Sequence, residues 1–368
     1  MSSSTTHPRL PGRFGRFDST LAGITLIILL FGLLNLWSAL QGRAPELASR
    51  QVMWLGVGGS LAALVAAIDY RRLARATYFF YALGVGLLAY VDVAGKVSGG
   101  ARSWLHFGPI ALQPAELMKP LLVLALARHI QNAPSVKERT LKHLFVPIGL
   151  VGLPTGLVAI QPDFGTAVIY SLIFVTIMLT ARFSLGTWVG LATVAGAAVV
   201  PVWKYALYDY QRGRILAFIN PALDRDRAWQ PQQAMHAVGS GRLFGKGYLE
   251  ATQVRARTLP ALWTDFPFAV FGEEWGFAGS VALIGAYAAL VLWLLRIART
   301  SRDRMGAIIC IGSAAMIFWQ CVLNLGMVIG VLPVTGLTLP LISYGGSSLL
   351  TTLVTLGLCM NVSMRRFG

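Results

Sequence analysis

The stretch Thr264–Phe277, "TDFPFAVFGEEWGF", sets three carboxylates, Asp265, Glu273 and Glu274, at the head of an apolar run that continues to about residue 296. The chain of 368 residues has only 15 acidic side chains, so a fifth of them stand where a bilayer span begins. Apolar runs of about 18 residues or more read as membrane-crossing helices. Working outward from the run at 275–296, others fall near 20–41, 52–69, 76–94, 114–130, 144–160, 165–181, 185–206, 305–331 and 347–364. Hydrophobic residues make up 55% of the chain and charged residues 12%, and the mean hydropathy is +0.64. That balance excludes a pair of ordinary soluble domains. The expectation is an all-α polytopic membrane protein with about ten transmembrane helices. A tail over 1–19 precedes a single integral-membrane domain over 20–368, with a long extracytoplasmic loop, 207–263, between the seventh and eighth spans.

The net charge of +16 raises the question of nucleic acid, but the cations cluster at alternate ends of the apolar runs. One set of ends holds Arg9, Arg13, Arg16, Arg71, Arg72, Arg75, the 128–142 cluster, Arg182, Arg296–Arg304 and Arg365–Arg366. The short connections on the other side hold Arg43, Arg50, Lys96 and Arg102. By the positive-inside rule both termini are cytoplasmic, and no nucleic-acid partner is expected. Five polar segments then share the outer face: "GKVSGGARSWLHFGP", "LQPAELMK", "QPDFGTA", the 207–263 loop with Asp265 at its end, and "LISYGGSS". The first apolar run has no small-residue cleavage site after it and reads as a retained span. Cys310, Cys321 and Cys359 lie inside apolar runs and read as small buried hydrophobes.

Each polar motif has a plain structural reading beside a chemical one. Asp265 precedes Phe266-Pro267, the pattern of a helix N-cap, and the same carboxylate is placed to do chemistry at a membrane surface. On a straight helix Glu273 lies about 80° from Asp265, and Glu274 on the far side, so all three cannot face one site. Glu116 and Lys119, three apart after Pro114, share a helix face as an ion pair. Charges in a span usually face a polar interior. Asp163 in "IQPDFGTA" reads as turn chemistry and a helix cap, while Arg102 and His106 stand in the preceding outer loop. "GSGRLFGKG", Gly239–Gly247, lacks the spacing and the following Ser or Thr of a phosphate loop, which leaves a glycine-rich segment that packs closely or meets a lipid headgroup. "SYGGSS", with Ser343 and Ser347, forms either a turn or a helix N-terminus that offers N–H groups to an anion. No zinc-protease motif or Ser–His–Asp order is present.

Taken in order, "ARSWLHFGPIALQPAELMKP", "QPDFGTA", "QRGRILAFINP", "AVGSGRLFGKGYLEATQ", "LPALWTDFPFAVFGEEWGF" and "LISYGGSS" resemble the SEDS family of bacterial shape, elongation, division and sporulation proteins. "GKGYLEATQ" looks more like its elongation branch, RodA, than its division branch, FtsW. The resemblance implies a ten-helix peptidoglycan glycosyltransferase of the cytoplasmic membrane, active at the outer face, that polymerises lipid II during elongation and rod-shape maintenance. It also implies a class B penicillin-binding protein as transpeptidase partner within the elongation machinery. In this family the aspartate matching Asp265 is the proposed catalytic residue, and the pair matching Glu116 and Lys119 is functionally important. The sequence departs from the pattern at Ala261, Trp263 and Pro267, where the family commonly carries Glu, His and Ile.

The implied reaction has the acceptor's N-acetylglucosamine 4-hydroxyl attack the donor's N-acetylmuramic acid, with undecaprenyl pyrophosphate leaving. One general base suffices for so good a leaving group. Lys119, Arg102, Arg212 and Arg214 are the candidate cations for the pyrophosphate. Glu273, Asp163, Ser343 and Ser347 are supporting candidates, and a divalent Mg or Mn ion is a further one. Two rival functions are a lipid II flippase and a non-catalytic scaffold for a transpeptidase.

Overall fold

The computed structural model describes residues 17–40, 44–98, 101–107, 110–133, 141–181, 183–252, 254 and 262–366. Ten long helices occupy the ten expected spans: α1 (Ser19–Leu40), α2 (Pro45–Ala67), α4 (Thr77–Ala94), α5 (Pro114–Asn132), α6 (Phe145–Ile160), α7 (Phe164–Leu179), α8 (Leu185–Pro201), α11 (Pro267–Arg299), α12 (Arg304–Val328) and α13 (Gly346–Met364). Among the described residues, seven of these are long and apolar enough to cross a bilayer by themselves. Helices α6 and α7 have 16 residues each, and α5 carries Glu116 and Lys119. The chain is a multi-pass membrane protein.

Short side chains start several of these helices by satisfying free N–H groups. Asp163 accepts from Thr166 N ahead of α7, Ser184 from Thr187 N ahead of α8, and Asp303 from Gly306 N ahead of α12. Helices α5, α12 and α13 form the centre, with α2 along α13, α11 along α12, and α4 and α7 against α5. Helix α8 stands at the edge with almost no buried residues.

Three departures from the sequence reading matter for the site. The 207–263 segment, read as a loop, contains α9 (Asp209–Ile219) and α10 (Arg225–Ser240). Residues 96–112 form a small antiparallel sheet, with β1 (Lys96–Ser98), β2 (Ala101–Phe107) and β3 (Ile110–Leu112) in that order. The short helix α3 (Tyr70–Arg75) fills the turn between α2 and α4.

The long helix α11 is broken at Gly276, where φ is 63° and ψ −160°. The glycine-rich turn after α10 fills the break with its own backbone. Lys246 N donates to Glu273 O (3.0 Å), Gly247 N to Glu274 O (3.1 Å), and Phe277 N and Ala278 N donate to Arg242 O and Leu243 O (2.9 Å each). A Cβ on Gly245 would come within 2.0 Å of the Glu274 carbonyl, and one on Gly276 within 2.3 Å of Gly245 N. The motif is therefore a backbone plug for a broken helix. Non-helical backbone at membrane depth is tolerated where protein satisfies it.

Candidate active site

Helix α11 begins at Pro267 with Phe266 as its N-cap and no capping side chain. The expectation that Asp265 caps this helix is thus corrected: Pro takes the first helical position, which moves the cap to the residue before it. Asp265 lies one residue outside, so the helical-wheel argument linking it to Glu273 does not apply. Its half-buried carboxyl is pushed above the ordinary carboxylate range by burial, an effect opposed by a hydrogen bond with Thr264 and by the charge of Arg214. The Asp265 carbonyl is fastened from α12: Asn324 Nδ2 donates to it at 3.0 Å and to Leu337 O at 2.6 Å.

Asn324 therefore joins Asp265 to the irregular segment 331–345 between α12 and α13. That segment is held at several points, with Tyr344 N on Trp263 O (2.7 Å), Leu339 N on Ser343 Oγ (2.7 Å) and Gln51 Nε2 on Ser343 O (3.3 Å). Arg214, on α9, approaches from the other side. Its Nη1 donates to Val334 O (3.4 Å) and its guanidinium lies 5.5 Å from the centre of the Tyr210 ring, whose hydroxyl donates to Pro162 O. A cavity of about 60 Å³ beside it is bounded by Asp163, Tyr210, Gln211, Arg214, Val334 and Thr335.

Asp163 faces this cavity while capping α7, and Gln113 Nε2 donates to its Oδ2 at 3.1 Å. Burial pushes its carboxyl up, against the pull of Thr166 and the charge of Lys119. Lys119 and Glu116 form their ion pair at 2.7 Å with both side chains buried. Gln113 N donates to Ser347 Oγ (2.9 Å), which in turn donates to Ala111 O (3.5 Å). Glu116, Lys119, Asp163 and Ser347 are thus connected through the head of α5, and Asp265 meets this group across Arg214.

The other sequence candidates go elsewhere. Glu273 is fully buried on Lys246 Nζ (2.6 Å), Thr252 N (3.0 Å) and Ser240 Oγ (3.4 Å). Glu274 accepts from Ser38 Oγ and from Leu249 N (3.1 Å). The two glutamates, on neighbouring positions of α11, clamp the 240–252 turn at two points. Arg212 turns to Lys204 O (2.7 Å) and Asp209 (3.5 Å), away from Arg214's contacts. Ser343 closes a local turn. The anion reading of "SYGGSS" is corrected too, because protein covers that helix end: Gly345 N donates to Gln51 Oε1 (3.4 Å) and the Trp54 ring lies against Gly346. His106 is exposed on β2, and the side chain of Arg102 lies outside the described residues.

Asn324, Tyr210 and Gln113 belong to the site and were not singled out in the sequence. Asn324 did carry a signal, as a polar residue inside the apolar run 305–331.

Comparison with known proteins follows the same lines. The family model for FtsW, RodA and SpoVE, described as cell cycle proteins, matches residues 19–367. The peptidoglycan glycosyltransferase MrdB of Escherichia coli strain K12 is 34% identical over 353 residues, covering 95% of this chain and 94% of its own. The crystal structure of the rod shape determining protein RodA from Thermus thermophilus aligns with a TM-score of 0.72 at 33% identity, covering 96% of this chain and 98% of that one. A chain solved for the structural coordination of polymerization and crosslinking by a peptidoglycan synthase complex aligns with a TM-score of 0.82 at 35% identity, covering 95% and 98%.

Proposed function

The chain belongs to the FtsW/RodA/SpoVE cell cycle protein family, and on that premise we propose that it is a peptidoglycan glycosyltransferase polymerising lipid II during cell elongation, with Asp265 as its general base. The observation that carries the assignment of Asp265 is its setting. It is a half-buried carboxylate held by its backbone, facing Arg214 across a gap, and it takes part in none of the ion pairs found among the described residues. A base needs a lone pair that a substrate proton can reach, and the glutamates around Lys246 and Ser38 are both buried.

In the reaction, the acceptor's 4-hydroxyl oxygen bonds to the donor's anomeric carbon as the bond from that carbon to the pyrophosphate oxygen breaks. The hydroxyl proton passes to Asp265, and undecaprenyl pyrophosphate departs with the bonding pair. Burial makes Asp265 a stronger base than a solvated aspartate, and the charge of Arg214 works against that rise by favouring the carboxylate. Cations near the leaving group, Lys119 first among them, offset its developing charge.

A divalent cation finds no ready cage here: no group of three His, Cys, Asp or Glu side chains is close enough to hold one among the described residues. Mg²⁺ commonly keeps most of its waters and binds through substrate phosphates, so the pyrophosphate itself would supply the donors. Bound there, it would neutralise the leaving group. The site faces outward with both termini cytoplasmic. A class B penicillin-binding protein crosslinks the product, a reading supported by the likeness to a chain of a synthase complex that coordinates polymerization with crosslinking.

The decisive experiment is polymerisation of purified lipid II by the purified protein. Asp265→Ala should insert and fold yet lose about 10²–10⁴ in rate. Glycan strands made by that variant at the normal rate would sink the assignment.

A further inference from the structure

Gly336 lies in the 331–345 segment with φ +70°. Some glycines of this protein are hemmed in by backbone, with a Cβ on Gly165 2.7 Å from Thr335 O and one on Gly241 2.0 Å from Gly272 O, and others face open space. At Gly336 the same atom would meet, among the described residues, two groups within 4 Å: Arg214 Nη1 at 3.8 Å and Asp265 Oδ2 at 3.9 Å. One atom placed at that point is in van der Waals contact with the carboxylate and the guanidinium at once.

The plain reading of Gly336 is a turn residue required by its positive φ. It leaves unexplained why the space beside the glycine is bounded by the two charged groups of the site. Resting on the assignment of Asp265 as base, we propose that this space is the slot for the reacting sugar hydroxyl. Gly336 is then the specificity-determining residue that keeps the slot open, and Arg214 is the positioning residue that holds a cation on the side of the slot facing Asp265.

The surroundings fit this division of work. Arg214 is anchored by Val334 O and the Tyr210 ring, so its guanidinium is fixed without a direct bond to Asp265. The main chain of Asp265 is fixed through Asn324, and its carboxylate is held by a hydrogen bond with Thr264. Around Asp265, Arg214 from α9 supplies the charge, Asn324 from α12 is neutral, and the 331–345 segment contains no Asp, Glu, Lys or Arg. A hydroxyl in the slot donates its proton to Asp265 while its oxygen sits beside a cation, which favours the developing alkoxide.

The test uses the full chain in lipid nanodiscs with purified lipid II. Gly336→Ala should melt within a few degrees of wild type and keep KM within about threefold, while kcat falls on the order of 10²-fold, the scale of a displaced reacting atom. Arg214→Gln should move the lower-pH limb of kcat to higher pH, because the carboxylate loses its cation, and Arg214→Lys should restore most of that shift. A wild-type kcat in Gly336→Ala overturns the slot. Where Gly336→Ala fails to fold, the Arg214 pair decides: an unmoved limb in Arg214→Gln overturns the proposal and a moved limb restored by Lys upholds it. Wild-type polymerisation by Asp265→Asn would count against the assignment of the base rather than against the slot.

Discussion

At the scale of single residues, Asp265 illustrates a conflict between function and stability. Its carboxyl is held above the usual range by burial, so between the unfolded and folded values the folded protein binds the extra proton. The sign follows: the contribution of this carboxyl to stability is fully present below about pH 4 and is lost as pH rises through the folded value, above which the buried charge is a cost. Asp265→Asn removes that cost. It should melt at a higher temperature than wild type at pH 7, with the difference shrinking toward pH 4, as read by thermal unfolding in detergent. An equal or lower melting temperature at pH 7 would contradict it. Asn324 shows how a neutral residue orients a charged one. Two carbonyls accept from its Nδ2, which settles the amide's orientation and fixes the main chain of Asp265 to segment 331–345.

At the scale of elements, the broken helix α11 and the turn that plugs it form one unit. Glu273 and Lys246 lock the turn at one point, and Glu274 with Ser38 of α1 at the other. Gly276→Ala places a Cβ 2.3 Å from Gly245 N at a backbone angle that L residues rarely adopt, and should cost about 3 kcal/mol or more. Glu273→Gln should loosen the same turn by less, because the amide still accepts from Thr252 N. Trypsin cutting after Arg242 and Lys246 measures both effects, and faster cutting in Glu273→Gln than in Gly276→Ala would reverse this ordering. Of this unit the sequence showed a glycine-rich segment that packs closely, but not the break it packs into. Glycine is common in membrane helices, so Gly276 gave no sign of a break, and the plug reads as a loop until its partner carbonyls are located.

At the scale of the whole molecule, hydropathy placed all ten long helices, because a bilayer demands lengths that few other structures require. The Glu116–Lys119 pair was legible from its three-residue spacing, which the helix turns directly into contact. Helices α9 and α10 were not, since a polar helix of 11 or 16 residues leaves no apolar run. The hairpin at 96–112 escaped notice because its outer strands are three residues long. The site was read as separate motifs because its joint, Asn324, acts by donating to main-chain carbonyls of two distant segments. Orientation is open to a direct check. The three native cysteines are buried, so introduced thiols dominate labelling. A membrane-impermeant maleimide should reach Asp226→Cys on intact spheroplasts and Arg302→Cys only after permeabilisation, and the opposite pattern would invert the assignment of faces. The break at Gly276 also bears on biogenesis. Beyond it, Phe277–Arg299 is about 23 residues, roughly 35 Å of helix, enough to be threaded into the bilayer alone. The piece before it, with both glutamates, need not enter lipid as bare charge. It can wait at the surface beside the turn that was synthesised just before it, and settle inward with its partners already in place.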